Sequence, residues 1–194
     1  DGLAGGSGSE KGRVSTAGDA CCLYATREVS DGGQDLVGAQ KDRAIEGNSN
    51  LYIARMKNPW TLQTRPVMLS APEYDWECVD FKVNEGPAFL LHDDDVFLTY
   101  SASGTGVPYA MGLLRNKRGV DLLDAGTWRK SAVPVFQTCA RNGQYGPGHN
   151  SFTTSEDGTV DLMIYHARNY TDITGAPLFD PNRHARVGVV AWQR

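Results

Sequence analysis

What most constrains this chain is a missing helical period. No window of a dozen residues repeats its apolar positions every three to four residues, whereas short apolar runs recur between clusters of Gly, Pro, Asn and Asp. The runs are Leu51 to Met56, Ala88 to Leu91, Val96 to Ser101, Tyr109 to Leu114, Ser151 to Thr154, Asp161 to His166 and Val187 to Trp192. Runs of this length and punctuation are strands and hairpins of antiparallel sheet; only Val120 to Trp128 has room for a helical turn. The expected fold class is all-β.

Two segments resemble each other. From Gly86, GPAFLLHDDDVFLTYSAS runs strand, acidic turn, strand, and from Gly148, GHNSFTTSEDGTVDLMIYHAR does the same, with Phe89 and Phe152 in corresponding places. The turns, His92 to Asp95 and Glu156 to Gly158, have the Asp and Gly content of hairpin connections. The offset of about 63 residues suits the long-blade end of propeller-like arrays. Two visible copies make an incomplete array, and a jelly roll or sandwich is the alternative.

Composition narrows the function classes. Net charge is -4, hydrophobic residues are 40% and charged residues 22% of 194. That is enough for one core, and it excludes a disordered tail, a collagen-like fibre and a disulfide-dense miniprotein. No apolar run approaches the roughly 20 residues of a membrane-spanning helix, and no basic block suggests nucleic acid. Residues 1 to 48 are polar and turn-rich apart from Leu23 to Val29, and read as a loop, insertion or disordered segment; residues 49 to 194 read as the domain proper. The sequence starts at Asp1 without a Met or a signal-peptide pattern, so the expectation is a removed leader or a piece of a longer protein. Cys21, Cys22, Cys78 and Cys139 show no zinc spacing and read as free thiols. Asn169-Tyr170-Thr171 is a glycosylation sequon and leaves a secreted location open.

Chemistry is expected where the two repeats begin. Asn84-Glu85-Gly86-Pro87 precedes one, and Tyr145-Gly146-Pro147-Gly148-His149-Asn150 opens the other. If each first strand lines a common channel, Glu85 and His149 converge there, with glycines that let a ligand approach closely. Glu85 has the residue type of a general acid; the alternative is a solvated turn glutamate. His149 is a candidate for an ion or a sugar hydroxyl, against a histidine bonded in place. In Arg183-His184-Ala185-Arg186-Val187, alternation puts Ala185 and Val187 on one face, His184 and Arg186 on the other. Asp93-Asp94-Asp95 lacks EF-hand spacing and reads as a solvated turn. Trp60, Trp76, Trp128 and Trp192 are sugar platforms or packing residues.

Taken in order, these motifs resemble glycoside hydrolase family 43, particularly its α-L-arabinofuranosidase and arabinanase-like members. The likeness rests on Asn50-Leu51-Tyr52-Ile53-Ala54-Arg55-Met56, Asn58-Pro59-Trp60-Thr61-Leu62, Asn84 to Ala88, Tyr100 to Ser103, Asn142 to Phe152, Tyr165 to Arg168 and Arg183 to Arg186, and covers about residues 49 to 192. The resemblance implies a five-bladed β-propeller, of which this chain supplies roughly three blades. It implies an inverting mechanism with carboxyls roughly 6.5 to 9.5 Å apart. By the same resemblance Glu85 is the acid, His149 binds substrate or an axial metal ion, and Arg186 is the active-site arginine in preference to Arg183. It implies calcium in the channel, held mostly by water, and no organic cofactor. Expected partners are arabinose-containing hemicellulose or pectin oligosaccharides, acted on by an extracellular monomer.

The family's general base, an Asp on the first blade, has no counterpart in context before Glu85, and only Asp1-Gly2 faintly matches the third carboxylate. The expectation is therefore an α-L-arabinofuranosidase fragment that is inactive alone. A β-xylosidase, an endo-arabinanase or a non-catalytic carbohydrate-binding propeller are the alternatives.

Overall fold

The computed structural model describes residues 24–28, 33–41, 44–45 and 47–192. Twelve strands carry them: β1 (Tyr24–Glu28), β2 (Gln34–Lys41), β3 (Asn48–Asn58), β4 (Thr61–Leu62), β5 (Val67–Ser70), β6 (Lys82–His92), β7 (Asp95–Ala102), β8 (Ala110–Lys117), β9 (Arg129–Lys130), β10 (Tyr145–Thr154), β11 (Asp161–Arg168) and β12 (His184–Val189). The remaining regular structure is single turns of 3-10 helix. The all-β expectation holds, and the turn foreseen within Val120 to Trp128 is Ala125–Thr127, capped by the Asp124 side chain on the Gly126 amide.

Three antiparallel groups follow one another along the chain. The first is β1-β2-β3, with β4 and β5 on the far edge of β3; the second is β6-β7-β8-β9; the third is β10-β11-β12. A short parallel contact, Asn48 with Lys82 and Ser49 with Val83, joins the first two into one sheet. Among the described residues no sheet closes on itself. The two hairpins read from sequence are β6-β7, closing at His92 and Asp95, and β10-β11, closing at Thr154 and Asp161. At the first turn Asp93 takes a left-handed backbone, and Asp95 pairs with Arg115 and Lys117. The acidic run is thus a braced hairpin turn.

The polar stretch before residue 48 departs from expectation. Gln34–Lys41 forms a regular strand, paired with β3 from Gln34 opposite Met56 to Lys41 opposite Ser49. Its few apolar residues suffice because both faces are covered: Val37 enters the main core and Leu36 a smaller cluster with Ala54, Met56 and Leu62. Composition averaged over the segment hides this short run. Asp1 and Gly2, and Cys21 and Cys22, lie outside the described residues.

The main core joins the first two groups: Val37, Leu51, Ile53, Val96, Leu98, Tyr100, Leu114, Leu122 and Trp128. Beneath the stretch leading to β6 lies a polar knot. Glu77 is fully buried and accepts from the amides of Glu73 and Tyr74, Asn84 Nδ2, Tyr100 Oη and Lys130 Nζ. Asn84 also accepts from Ser70 Oγ, and its carbonyl from Ser49 Oγ. Buried polar groups are stable only when paired in this way. The knot fixes the backbone one residue before Glu85.

Candidate active site

Glu85 and His149 meet because both hairpins are irregular at the same place. Register shifts interrupt β6 between Glu85 and Ala88, and β10 from Tyr145 to Gly148 and from Gly148 to Ser151. Gly86, Gly146 and His149 take positive φ of 55°, 56° and 54°. Bulges re-aim side chains, and a non-glycine residue in the left-handed region holds strain that the surroundings must compensate. Here the His149 amide donates to the buried Ser101 Oγ at 2.7 Å, tying β10 to β7.

Between the two candidates stands Tyr109, just ahead of β8 and fully buried. Its hydroxyl is 2.7 Å from Glu85 Oε1 and 3.0 Å from His149 Nδ1, and those two atoms are 3.9 Å apart. The strand register accounts for this meeting. Glu85 pairs with Ser101 and Ser101 with Met111, so Tyr109, two residues before Met111, shares their face. His166 completes the group: it pairs with Gly148 across β10-β11 and stacks on Tyr109 at 5.6 Å between centroids and on His149 at 6.2 Å.

The glycines serve the protein's own rings. A Cβ on Gly86 would lie 3.1 Å from His149 Cδ2 and Nε2; one on Gly148 would strike the Tyr109 ring, and one on Gly146 the Gly106 carbonyl. The expectation that these glycines open space for a ligand is corrected: the space beside Gly86 and Gly148 is filled by the His149 and Tyr109 rings, and that beside Gly146 by the Gly106 backbone.

Glu85 is part-exposed, with a third of its side-chain surface open, whereas the groups around it are buried. Burial lowers the His149 pKa, against the pull of Glu85 and together with the Arg183 charge. Burial, then Arg183, His149 and Arg168, bring His166 down to about 4. The Tyr109 phenol is raised by burial and by Glu85. His149 Nε2 and both ring nitrogens of His166 are buried without a hydrogen-bond partner.

The two candidate arginines are placed differently. Arg186 pairs with Tyr165, on the opposite face of β11-β12 from His166, and its guanidinium donates to the carbonyls of Gly143 and Arg168. Arg183 is the one whose charge acts on Tyr109, His149 and His166. Strand alternation separates the faces, and Arg183 lies in the segment that precedes the strand, with its guanidinium donating to the Leu178 carbonyl. Arg168 anchors that segment: fully buried, it donates to Asp180, to the Thr105 carbonyl and to the Pro177 carbonyl.

Tyr109, Ser101 and His166 were visible as strand residues and were given no role from sequence; Tyr109 looked like the first member of an apolar run. The tryptophans divide. Trp76 donates to the Ala132 carbonyl, Trp128 is buried, and Trp192 stacks on His92 at 3.7 Å. Trp60 is 71% exposed. Among the described residues no three His, Cys, Asp or Glu side chains form a metal-binding group.

A glutamate held by a buried tyrosine, beside a neutral histidine, is an arrangement suited to placing a carboxyl proton. The model of glycosyl hydrolases family 43 matches residues 5–194. An extracellular exo-alpha-(1->5)-L-arabinofuranosidase of Streptomyces avermitilis is 50% identical over 187 residues, covering 96% of this chain and 39% of its own length. Alpha-L-arabinofuranosidase 43 of Humicola insolens is 46% identical, covering 95% of this chain and 39% of its own. The crystal structure of an alpha-L-arabinofuranosidase from Lactobacillus brevis superposes with a TM-score of 0.86 at 54% identity, over 93% of this chain and 55% of that one. The chain thus spans well under two thirds of the length of these relatives.

Proposed function

The chain belongs to glycosyl hydrolases family 43, and from that membership we propose that it supplies the acid half of the catalytic centre of an inverting, extracellular α-L-arabinofuranosidase. Glu85 gives its proton to the leaving oxygen while a carboxylate outside these 194 residues activates water on the opposite face of the sugar. The observation that carries the reading is the Glu85–Tyr109–His149 cluster, in a chain whose relatives are named for arabinofuranoside hydrolysis. The three strand groups are proposed as successive blades of the family's five-bladed propeller, with the two bulged hairpins innermost. Arabinose-containing side chains of hemicellulose or pectin are the proposed substrates, and a monomer the proposed state.

A channel calcium belongs to the same proposal. The buried, unpartnered Nε2 of His149 is the observation that fits it. Imidazole nitrogen is a weak direct ligand for so hard a cation, so His149 would meet it through water. The ion would supply a fixed positive charge at the channel floor.

The test is hydrolysis of an α-1,5-linked arabino-oligosaccharide by the full-length protein and its Glu85→Gln variant. A loss of about 100-fold or more is expected, the scale of a general acid. The 194-residue chain by itself is expected to show no turnover. If that short chain hydrolysed the substrate at a rate that Glu85→Gln removed, the assignment of the base elsewhere would fail.

A further inference from the structure

Tyr109 has one proton and two neighbours that compete for it. The hydroxyl donates to Glu85 Oε1 at 2.7 Å and lies 3.0 Å from His149 Nδ1, and a carboxylate oxygen can only accept. The phenolic proton therefore belongs to Glu85. His149 Nδ1 then faces an oxygen whose proton points away, so a favourable contact requires Nδ1 to carry a proton and donate it. The reverse polarity would set the phenol oxygen against a carboxylate oxygen as two acceptors at 2.7 Å, and for either form of Glu85 it would put the imidazole proton on Nε2, which is buried without a hydrogen-bond partner. With His149 donating to it and Glu85 accepting from it, the phenol satisfies both of its neighbours. Nε2, buried without a hydrogen-bond partner, is then the bare nitrogen.

We propose that Tyr109 is a positioning residue which, backed by the Nδ1–H tautomer of His149, donates to Glu85 Oε1 and so keeps the proton of the acid on Oε2. A protonated carboxyl has one O–H; with Oε1 already accepting, that hydrogen sits on Oε2, the oxygen left free for the leaving group. In the reaction the Oε2–H bond breaks, its proton goes to the glycosidic oxygen, and that oxygen takes the electron pair of the cleaved bond to carbon. Glu85 is left as a carboxylate whose new charge Tyr109 already stabilises, while water adds to the sugar carbon and loses a proton to the base. The delivery role rests on the reading of Glu85 as acid; the polarity of the Glu85–Tyr109–His149 chain does not.

Histidine imidazole 15N NMR of the 194-residue chain, in EDTA near neutral pH and with His149→Gln for assignment, reads that polarity without any turnover. His149 is expected to be protonated at Nδ1 and bare at Nε2, and Tyr109→Phe is expected to abolish that preference. A wild-type His149 with its proton on Nε2 and a bare Nδ1 overturns the proposal. In the full-length protein, Tyr109→Phe is expected to slow an arabino-oligosaccharide about 10- to 100-fold, and a dinitrophenyl arabinofuranoside, whose leaving group needs no proton, less than about 3-fold. Equal losses on both substrates overturn the delivery role. A full-length wild type that hydrolyses neither overturns the acid assignment itself, and is told apart from a failed polarity by the NMR result.

Discussion

Glu85 Oε1 and His149 Nδ1 stand 3.9 Å apart with the Tyr109 hydroxyl between them, and each of the three is placed by a neighbouring glycine or bulge. Gly148 is the support that bears directly on Tyr109, since a Cβ there would enter its ring. Gly148→Ala is therefore expected to cost about 1 to 3 kcal/mol, the range for overpacking, and to push Tyr109 off Glu85. Gly119→Ala is the control: its φ is also positive, but nothing lies within 4 Å of the added methyl. It should cost only the backbone strain, about 1 kcal/mol, and leave the His149 tautomer unchanged. Denaturant midpoints with the imidazole NMR signal separate the two.

The hairpins were legible in sequence because Gly, Pro and Asp mark their ends and β-branched and aromatic residues fill their strands. The convergence of Glu85 and His149 followed from treating the two segments as equivalent. Three things stayed hidden. The strand Gln34–Lys41 is mostly polar, and its Leu36 and Val37 gain meaning only once β3 and the sheet faces are in place. Tyr109 carries no motif of its own, and its role depends on which residues face it across two strand pairs. Glu77 sits in the stretch Tyr74 to Cys78, which looks like an ordinary solvated loop; its burial is decided by Lys130 and Asn84, distant in the chain.

That glutamate yields a stability prediction. Burial opposes its charge, but Lys130 and the amides of Glu73 and Tyr74 outweigh burial and hold its pKa below the ordinary value. Lys130→Met removes the counter-ion and leaves a buried carboxylate, a change expected to cost about 3 to 5 kcal/mol. Glu77→Gln together with Lys130→Met should recover part of the loss. A double variant no more stable than Lys130→Met alone in urea denaturation would show that the pair does not act as one unit.

The segment that carries Arg183 should loosen in acid. Asp180 is held down to about 2 by the Asn182 amide, then by the Tyr170 hydroxyl and Arg168. A carboxylate depressed in the folded state adds stability that is complete above its unfolded pKa, roughly 4, and is lost as pH falls toward 2. Amide exchange in residues 169 to 183 is therefore expected to accelerate between about pH 4 and 2, ahead of the core strands. Asp180→Asn should show the faster exchange already at neutral pH, with little further change in acid.

The two arginines can be told apart by what their charges do. Arg183 helps hold His166 down at about 4, so Arg183→Ala removes a repelling positive charge and is expected to raise the His166 pKa. Arg186 points to the opposite face and bonds the Gly143 and Arg168 carbonyls, so Arg186→Ala should leave His166 where it is and cost about 1 kcal/mol of stability from the lost bonds. Proton NMR titration of the histidine ring in both variants reads the difference directly. If Arg186→Ala moved the His166 titration and Arg183→Ala did not, the face assignment drawn from the β11-β12 register would be wrong, and Arg186 would return as the arginine of the site.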